Sequence, residues 1–367
     1  MHTQEPKVAI VILNYNTASL LNQFLPFVVN TEYKNLEIIV ADNGSTDNSA
    51  AVVKNYKTVQ WMPLGNNYGY AGGYNKALKS IMSDYYMLLN SDVEVEPDWI
   101  KNLVDAIKNL PNCAALQPKI KSLKNKEAFE YAGAAGGFID ILGYPFCRGR
   151  IFNHCENDHG QYDNNLQVFW ASGAALFIDA KIFWQVGAFD NLLFAHMEEI
   201  DLCYRIQLSD YKIYCAPKAV VYHLGGGTLA EQNEKKTYLN FRNSLVLMAR
   251  YEKGFTKYIK IFLRLILDAP AAILYLSKGR IKDVLAIVRA HWHFLFYFNK
   301  WQKQVENFKP KENVNLFGKF NFSIVIAYYL KGHKTFFSLQ KNKKLILAIF
   351  SLLTIKFLNS LYFIIYV

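Results

Sequence analysis

The sequence is poor in cysteine, and its cysteines lack the spacings that cysteine-based sites need. The five cysteines lie far apart, and no two of them form a Cys-x-x-Cys pair. Their spacings fit neither a disulfide framework nor a common zinc ligand pattern, so we expect reduced thiols in a cytosolic compartment. The first residues also lack a charged segment followed by an apolar segment and a cleavage site, so we do not expect a secreted protein.

The first apolar run lacks the glycine-rich turn of dinucleotide-binding enzymes. The run VAIVIL at residues 8–13 is followed by NYNTASLL, which contains no Gly-x-Gly-x-x-Gly. This argues against a dehydrogenase of the Rossmann type. The absence of a basic, glycine-rich loop at the same place also speaks against a nucleotidyltransferase, which stays an alternative.

Acidic residues are scarce in the C-terminal region, residues 231–367. This region contains 7 Asp and Glu against 23 Lys and Arg, a net charge of +16, whereas residues 1–230 have a net charge of −5. Its basic residues are interleaved with long Leu, Ile, Phe and Tyr stretches. We therefore expect an anionic membrane surface as its partner and no nucleic acid, because nucleic-acid binders rarely need so much aliphatic surface.

Residues 1–230 contain a regular alternation of apolar runs and amphipathic segments. The runs at 8–13, 36–41, 58–62 and 85–89 predict buried strands, and the segments at 17–29, 47–56 and 97–110 predict helices between them. This order is typical of an α/β fold with a Rossmann-like, mostly parallel sheet and helices on both faces. Residues 146–165 predict a polar loop.

From residue 231 onward the periodicity is helical, with helices predicted at 235–251, 258–276, 281–297 and 299–308. We therefore expect an α/β domain at 1–230, a helical membrane-associating region at 231–310 and a basic, apolar tail at 311–367. Residues 345–367 are long enough to cross a bilayer, but Lys356 lies near their middle. A membrane span and a helix lying in the membrane plane both stay open for this segment.

Polar side chains follow the strand ends, where open α/β sheets bind their ligands. Asp42 ends the second strand, where a carboxylate can accept hydrogen bonds from a ribose or a base, or form only an Asx turn. Asn90 and Asp92 end the fourth strand. Oxygen atoms at alternate positions suit a divalent cation and a diphosphate, although the same residue types are common in turns that cap a helix.

Three acids, Glu198, Glu199 and Asp201, open a helix. Their mutual repulsion is expected to raise the pKa of at least one carboxyl, which makes a general base, although acids in a first helical turn also complement the helix dipole. His223 ends an apolar strand before three glycines, either as a metal ligand or as a structural residue. The stretch GNNYGYAGGYN at 65–75 opens a helix whose N-terminus favours phosphate.

Nine segments between residues 7 and 245 carry a family resemblance through their order and spacing. They are VAIVILNYN, IIVADNGSTDNS, NNYGYAGGYN, YYMLLNSDVEVEPDW, WASGAALFID, VGAFD, EEIDLCYRI, APKAVVYHLGGGT and YLNFRN. As a set they resemble the family 2 inverting glycosyltransferases with a GT-A fold, in particular the rhamnosyltransferase-like bacterial branch. They are specific for the fold and the reaction class and poor guides to the sugar.

The resemblance implies a donor site and a metal site at the matching positions. The base and ribose would be held by Tyr15 and Asp42. The nucleotide-sugar pocket would be lined by Asn67, Gly72, Gly73, Asn75 and Asn90. A divalent metal, Mn²⁺ or Mg²⁺, would be bound by Asp92, with His223 completing the metal or diphosphate site.

The resemblance also implies the residues of transfer. Glu199 stands at the position of the catalytic base, where the family usually has Asp, and Glu198 beside it stays an alternative. The acceptor would be bordered by Trp170, Ser172, Gly173 and Asp201. Two further residues depart from the family pattern. Asn90 stands at the first position of the DxD-type metal motif. Tyr74 follows Ala-Gly-Gly at a position where a polar residue is expected, and we predict that it alters the donor preference.

The activity expected from this resemblance is inverting transfer of a sugar from a UDP-, dTDP- or GDP-sugar to a hydroxyl of a saccharide or polyprenyl-linked acceptor in cell-surface polysaccharide synthesis. The expected location is the cytoplasmic face of the inner membrane, with peripheral binding or one C-terminal span. A non-catalytic membrane scaffold that kept the fold and a nucleic-acid-binding module are the alternatives from other classes.

Overall fold

The structure is a computed structural model that describes residues 5–225, 233–303, 305 and 308–341. Its strands form one large and one small sheet. The strands are Val8–Asn14 (β1), Leu36–Asp42 (β2), Val59–Pro63 (β3), Tyr85–Leu89 (β4), Val93–Val95 (β5), Cys113–Ser122 (β6), Gly137–Ile139 (β7), Pro145–Cys147 (β8), Arg150–Ile151 (β9), His154–Cys155 (β10), Leu166–Val168 (β11), Ala175–Asp179 (β12) and Lys212–His223 (β13).

The large sheet has the strand order β11-β13-β6-β12-β4-β1-β2-β3, and β5 pairs with β13. Strands β3, β2, β1 and β4 are parallel, as are β6 and β13, while β12, β11 and β5 run antiparallel to their neighbours. The β-branched run of β1 explains its central place, since Val8 to Val11 are completely buried on both faces of the sheet.

Helices cover both faces of this sheet, as the sequence predicted. Alternate residues of β1 belong to two separate cores, one containing Ile10 and one containing Val11. The helices are Ala18–Val29 (α1), Ser49–Lys54 (α2), Gly69–Leu78 (α3), Trp99–Asn109 (α4), Ala180–Gln185 (α5), Glu198–Leu208 (α6), Glu234–Tyr251 (α7), Thr256–Leu267 (α8), Ala269–Ser277 (α9), Ile281–Phe296 (α10), Phe298–Trp301 (α11) and Phe336–Lys341 (α12), with a π-helical turn at Ile326–Leu330.

The segment expected to be a polar loop, residues 146–165, instead contains most of the small sheet. This sheet has the order β10-β9-β8-β7. The loop prediction was wrong because it treated Arg148 and Arg150 as solvated. Both side chains are buried and donate hydrogen bonds to the carbonyls of Ala135 and Tyr131, respectively. Strands of two or three residues are too short to show an alternating pattern.

The C-terminal helices are packed against the α/β core. Leu245 and Val246 of α7, Phe294 of α10 and Trp301 of α11 belong to the same hydrophobic cluster as the residues of β1 and α3. The core therefore includes residues from both sides of the boundary that we predicted at residue 230. The helix predicted at 258–276 is divided into α8 and α9 at Asp268, because Pro270 lies in the first turn of α9.

The helix predicted at 299–308 ends at Trp301, whose carbonyl accepts a hydrogen bond from Arg250. Within the residues that the structure describes, no helix has the length and apolarity needed to cross a bilayer. The possible span at 345–367 lies outside the described residues.

Candidate active site

The ends of β1 and β2 are joined by side-chain hydrogen bonds. Asn14 and Asp42 are register partners, and the amide of Asn14 donates to Asp42 Oδ1 and to Ser45 Oγ, both at 2.9 Å. The other oxygen of Asp42 accepts from the backbone N–H of Ser45 at 3.1 Å. Asp42 is therefore buried and held at the sheet edge, while Tyr15 beside it is 44% exposed and accessible to a planar ligand.

Asn43 connects this edge to the glycine-rich loop. Its Nδ2 donates to the carbonyl of Gly69 at 3.0 Å and to Asn67 Oδ1 at 3.3 Å, and its Oδ1 accepts from the N–H of Tyr68. The sequence analysis missed Asn43, although it lies directly after Asp42. The loop of Asn67 is exposed and lies beside the base and ribose positions expected from the sequence.

Four residues of α3 are packed against protein, whereas the sequence predicted a ligand-lining or donor-selecting role for them. A Cβ on Gly73 would lie 2.8 Å from Leu13, and one on Gly72 would lie 3.0 Å from Tyr68. Asn75 exchanges hydrogen bonds with the backbone of Phe189. Tyr74 is fully buried, within hydrogen-bond distance of the carbonyls of Val11 and Leu89, so the expectation that it alters donor choice was wrong.

Strand pairing brings Asp92 and His223 together across 131 residues of sequence. His223 of β13 is the register partner of Val93, the residue after Asp92, and its Nε2 lies 3.1 Å from Asp92 Oδ1. The Nδ1 of the same imidazole lies 3.2 Å from Glu130 Oε2. Burial opposes a charge on His223, but its hydrogen bonds with the two carboxylates raise the pKa of His223 to about 10.

These residues fit a divalent metal that is completed by a substrate. A carboxylate and an imidazole face each other, and a second carboxylate lies behind the imidazole, where it fixes the tautomer of a ligating histidine. In the described part of the chain, no three His, Cys, Asp or Glu side chains converge on a metal position. Two protein ligands suffice where phosphate oxygens and water complete the shell. The sequence analysis missed Glu130, since it lies in an irregular segment.

Glu198 and Glu199 are the first two residues of α6. In each of them the Oε2 atom is buried and has no hydrogen-bond partner among the described residues. Burial and the charge of Glu199 raise the pKa of Glu198 well above its ordinary range. Burial raises the pKa of Glu199 to about 7, even though backbone N–H groups at the helix start lower it. Unpaired buried oxygens are uncommon in folded proteins, and they mark this helix start as a place for a ligand.

Glu199 lies beside the strand end that carries Asn90 and Asp92. A Cβ on Gly173 would lie 3.8 Å from the Cβ of Glu199, and the next residue, Ala174, accepts a hydrogen bond from the N–H of Asn90 at 3.0 Å. The hydroxyl of Tyr70 donates to the carbonyl of Gly173 at 2.6 Å. The acid pair and the residues after β4 therefore share one edge of the sheet.

Asp201, which we expected near the acceptor, lies in the protein core. It is completely buried and accepts hydrogen bonds from Arg205 and from Tyr251 at 2.8 Å, and it pairs with Arg250 at 3.1 Å. These partners lower its pKa although burial alone would raise it. Its carboxylate is fully engaged by these buried partners, so its position indicates a structural role.

Trp170 and Ser172 are also more buried than an acceptor-lining role suggests. The indole of Trp170 donates to the carbonyl of Phe138 at 2.9 Å, and its ring packs on Gly137. The hydroxyl of Ser172 donates to the carbonyl of Ala132, and its N–H donates to Gln117. Gly173, by contrast, lies next to the acid pair, since a Cβ at this position would be 3.8 Å from the Cβ of Glu199.

The loop before α6 is held by α7. Phe194, His196 and Met197 have positive φ angles of 66°, 65° and 68°, a rare backbone conformation for these residue types. Asn243 is completely buried, and its Nδ2 donates to the carbonyls of Leu193, Ala195 and His196 at 3.0, 3.1 and 2.8 Å. The segment YLNFRN contains this residue, but its role shows only in the tertiary structure.

His196 adds a neutral imidazole to the same loop. Burial lowers its pKa to about 4, and its Nε2 has no hydrogen-bond partner among the described residues. Ser91, between Asn90 and Asp92, likewise has a buried hydroxyl without a partner in the part of the chain that is described. Neither residue was singled out from the sequence, because a lone His or Ser in such a position has no distinctive pattern.

Comparison with known proteins identifies relatives of this chain. Residues 9–168 match the family model described as Glycosyl transferase family 2. The N-acetylglucosaminyl-diphospho-decaprenol L-rhamnosyltransferase of Mycobacterium tuberculosis is 28% identical over 233 residues, which cover 58% of this chain and 75% of the relative. The low-salt glycan biosynthesis hexosyltransferase Agl10 of Haloferax volcanii is 22% identical over 242 residues, 64% of this chain and 73% of the relative.

Among solved structures, that of GalNAc-T7 with UDP, GalNAc and Mn²⁺ is similar to this chain with a TM-score of 0.54 and 16% sequence identity. The match covers 68% of this chain, and the chain spans about half, 49%, of that protein. At this identity the similarity concerns the fold alone. The α/β fold with a mostly parallel, GT-A-like sheet and a helical C-terminal region, predicted from the sequence, is confirmed.

Proposed function

We propose that the protein transfers a sugar, with inversion, from a nucleotide-sugar donor to a hydroxyl of a saccharide acceptor, and the match of residues 9–168 to the Glycosyl transferase family 2 model supports this proposal. The observation that carries this proposal is the acid pair Glu198–Glu199 beside the strand end that bears Asp92. One edge of the sheet thus offers a base with a pKa of about 7 and a site for a diphosphate. Inverting transfer needs both a base for the acceptor hydroxyl and a site for the departing diphosphate.

The two acids take different roles because their protonation differs. Glu199, with its pKa near neutrality, accepts the proton of the acceptor hydroxyl as that oxygen attacks the anomeric carbon. The sugar–phosphate bond breaks on the opposite face, which inverts the anomeric configuration. Burial and the charge of Glu199 raise the pKa of Glu198 well above its ordinary range and so favour its protonated form. In that form it serves as a hydrogen-bond donor or acceptor without charge.

The leaving diphosphate is received at the ends of β4 and β13. Asp92 and His223 would hold a divalent cation, Mn²⁺ or Mg²⁺, which neutralises phosphate charge when it is bound. Glu130 orients the imidazole of His223 from behind. In the absence of a cation, the positively charged imidazolium of His223 faces the same position. Asn90, at the first position of the motif, offers an amide in place of a second carboxylate.

The donor nucleotide is placed by the loops after β1 and β2. Tyr15 is exposed beside Asp42, which lies at the position expected to contact base and ribose. Asn43 and Asn67 fix the loop that continues into α3, whose N-terminus is directed toward the same edge. UDP, dTDP and GDP are the nucleotide classes that this proposal includes.

For the acceptor, we propose a polyprenyl-linked saccharide at the cytoplasmic face of the inner membrane, used in cell-surface polysaccharide synthesis. The M. tuberculosis relative is an N-acetylglucosaminyl-diphospho-decaprenol L-rhamnosyltransferase, and its name supports this substrate class. The net charge of +16 in the C-terminal region supports peripheral contact with an anionic membrane.

The proposal is tested by the thermal unfolding of the protein with UDP-, dTDP- and GDP-sugars, with and without Mn²⁺ or Mg²⁺. One nucleotide class is expected to raise Tm in a metal-dependent manner. Asp92→Ala is expected to lose the metal-dependent part, while Asp105→Ala, which removes an exposed carboxylate on α4, keeps it. A folded wild-type protein whose Tm responds to none of these donors would contradict the proposed function.

A further inference from the structure

The outer surface of α8, α9 and α10 carries large apolar side chains that no other part of the described chain covers. Phe255, Trp292 and Phe296 are 76%, 69% and 76% exposed. Most monomeric proteins scatter such residues singly, whereas here they lie on three neighbouring helices. The exposed residues, called here the outer apolar face, are Phe255, Tyr258, Phe262, Ile266, Ile273, Leu274, Leu276, Ile281, Leu285, Val288, Trp292, Leu295 and Phe296.

The spacing of these residues places them on one side of α8 and on one side of α10. On α8 they recur at Tyr258, Phe262 and Ile266, and on α10 at Ile281, Leu285, Val288, Trp292 and Leu295, which are intervals of three or four residues. The opposite sides are already used. Ile261 of α8 and the buried residues of α10 (Ala286, Ile287, Ala290 and Phe294) face the protein. Both helices are therefore apolar on two sides, and the described residues pack against the inner side alone.

The exposed charges around this face have one sign. Between residues 253 and 303, a stretch that the structure describes completely, every exposed charged side chain is basic. The only acids in the stretch, Asp268 and Asp283, are buried and paired with Arg264 and Arg280. The exposed basic residues are Lys253, Lys278, Lys282, Arg289, Lys300 and Lys303.

We propose that the outer apolar face of α8–α10 is a membrane-binding surface that lies in the plane of an anionic bilayer, with its aromatic and aliphatic side chains in the interface. This inference deepens the proposed function by naming the surface that brings the enzyme to a lipid-linked acceptor. Apolar side chains enter the boundary between headgroups and acyl chains, and the surrounding Lys and Arg contact anionic headgroups.

Helix length agrees with an in-plane orientation. The 12 residues of α8 and the 16 residues of α10 extend over roughly 18 and 24 Å at 1.5 Å per residue, less than the roughly 30 Å of a bilayer core. Both helices also pack along one side against α7, which leaves only the outer side for lipid. Trp292 and Tyr258 are residue types enriched at membrane interfaces.

Charge distinguishes a bilayer from a second copy of the chain. In a twofold dimer this face would meet itself, so the bordering Lys and Arg of both copies would be brought together without acidic partners. An anionic bilayer instead supplies the opposite charge to all of them.

The outer apolar face is also connected to the candidate active site through α7. Thr237 at the start of α7 donates a hydrogen bond to Asp283 of α10, and Asn243 of α7 holds the loop before Glu198.

The test is flotation of the full-length protein with vesicles of phosphatidylcholine alone or mixed with phosphatidylglycerol, without any donor. We expect binding to the anionic vesicles that weakens at high salt. The double variant Leu285→Glu/Trp292→Glu is expected to lower the partition coefficient at least tenfold. The control Phe27→Glu/Met82→Glu makes the same change at exposed apolar residues outside this face and is expected to bind like the wild type.

Three outcomes would overturn the inference. Equal vesicle binding by the Leu285→Glu/Trp292→Glu variant would assign membrane contact to another part of the chain, including residues 342–367. Dissociation of a dimer by this variant, seen by light scattering without lipid, together with absent vesicle binding, would assign the face to a second copy. Binding of duplex DNA in preference to anionic vesicles would assign the basic residues to nucleic acid.

The same variants separate this inference from the proposed function. Donor-induced stabilisation in the thermal-shift test depends on Asp92 and is expected to be unchanged in Leu285→Glu/Trp292→Glu. Because the flotation assay needs no donor and no turnover, vesicle binding can be lost while donor binding stays, and the reverse can also occur. Unchanged donor stabilisation also shows that the double variant is folded.

Discussion

At the residue scale, three neighbouring acids have different charge states because the fold gives each a different environment. Asp201 is paired with two arginines and has a lowered pKa, whereas Glu198 and Glu199 pair with no Lys, Arg or His among the described residues and have raised pKa values. The sequence predicted that repulsion among these acids would raise at least one pKa. Which of them would be raised depended on Arg250, which lies 49 residues further along the chain.

We expect Glu199→Gln to lower kcat/KM by about 10²–10⁴-fold, since the amide cannot accept the proton of the acceptor. Glu198→Gln is the matched control on the same turn of helix, and it is expected to stay within about tenfold of the wild type because a protonated carboxyl and an amide are both neutral. Initial rates of nucleoside diphosphate release measure both. If Glu198→Gln loses as much activity as Glu199→Gln, the assignment of the base is wrong.

The pH dependence follows from the same pKa. The base is active when it is deprotonated, so kcat/KM is expected to rise about tenfold per pH unit at acidic pH and to level off above about pH 7.

The stability of the protein is expected to change with pH in the opposite direction. A raised carboxyl pKa means that the folded state binds a proton more tightly, so stability falls as the pH rises from the ordinary Glu pKa to about 7. Glu199→Gln is expected to reduce that fall, as measured by Tm against pH, while the raised pKa of Glu198 continues to contribute.

At the scale of elements, the site depends on loops that other elements hold in rare backbone conformations. The loop before α6 has three residues with positive φ, and α7 supplies the hydrogen bonds that keep it in place. The loop before α3 depends on Asn43 in the same manner. Helix α7, which begins at Glu234, therefore determines where the acids at the start of α6 lie.

Asn243→Ala is expected to lower kcat by about 10–100-fold with a small change in the KM of the donor, because the start of α6 shifts when three carbonyls lose their donor. The cost in stability is expected to be about 1–3 kcal/mol. Asn240→Ala on the same helix removes an amide that donates to the carbonyl of Lys236 and is expected to leave kcat unchanged. Equal kcat values for the two variants would show that Asn243 has no positioning role.

Gly69 begins α3 with a φ of +72°, and a Cβ at this position would lie 2.7 Å from the carbonyl oxygen of Phe194. Gly69→Ala is therefore expected to combine backbone strain with a clash and to destabilise the protein by at least about 3 kcal/mol. Gly279→Ala is the control, since Gly279 has a φ of +68° and open space around it. Its expected cost is about 1 kcal/mol. Urea unfolding distinguishes the two, and equal costs would mean that the clash is relieved.

At the scale of the whole molecule, the α/β part and the C-terminal helices share one hydrophobic core and one buried ion network. Arg250 of α7 pairs with Asp190 at 2.6 Å and with Asp201 at 3.1 Å, and Arg264 of α8 donates to the carbonyl of Leu142 beside the small sheet. The division at residue 230 that composition suggested separates two charge distributions. The core and the ion pairs extend across it.

Arg250→Ala is expected to lower the free energy of unfolding by about 3–5 kcal/mol, because Asp190 and Asp201 would be left as buried carboxylates without this cation. Lys253→Ala, one turn further along at an exposed position, is expected to change it by less than about 0.5 kcal/mol. Urea unfolding monitored by circular dichroism measures both. A loss below about 1 kcal/mol for Arg250→Ala would show that the network does not join the two parts of the molecule.

Much of the fold could be predicted from the sequence because it depends on local patterns. The four parallel strands and the helices between them were found within a few residues of their observed ends, since buried β-branched runs and amphipathic repeats are local signals. The small sheet was missed, because its strands are too short for any period. Residues such as Asn43, Glu130 and Asn243 were missed because the contacts that give them a role are distant in sequence.

The sequence alone determined the α/β class, the polar residues at the strand ends and the basic, apolar character of the last third. These properties follow from residue type and spacing. Only the tertiary structure decided that Asp92 faces His223 and that Asp201, unlike Glu198 and Glu199, has cationic partners within the part of the chain that is described. It likewise decided that Tyr74, Trp170 and Ser172 are buried. The physical reason is that burial and charge pairing depend on which strands and helices become neighbours in space, and here those neighbours are separated by dozens of residues along the chain.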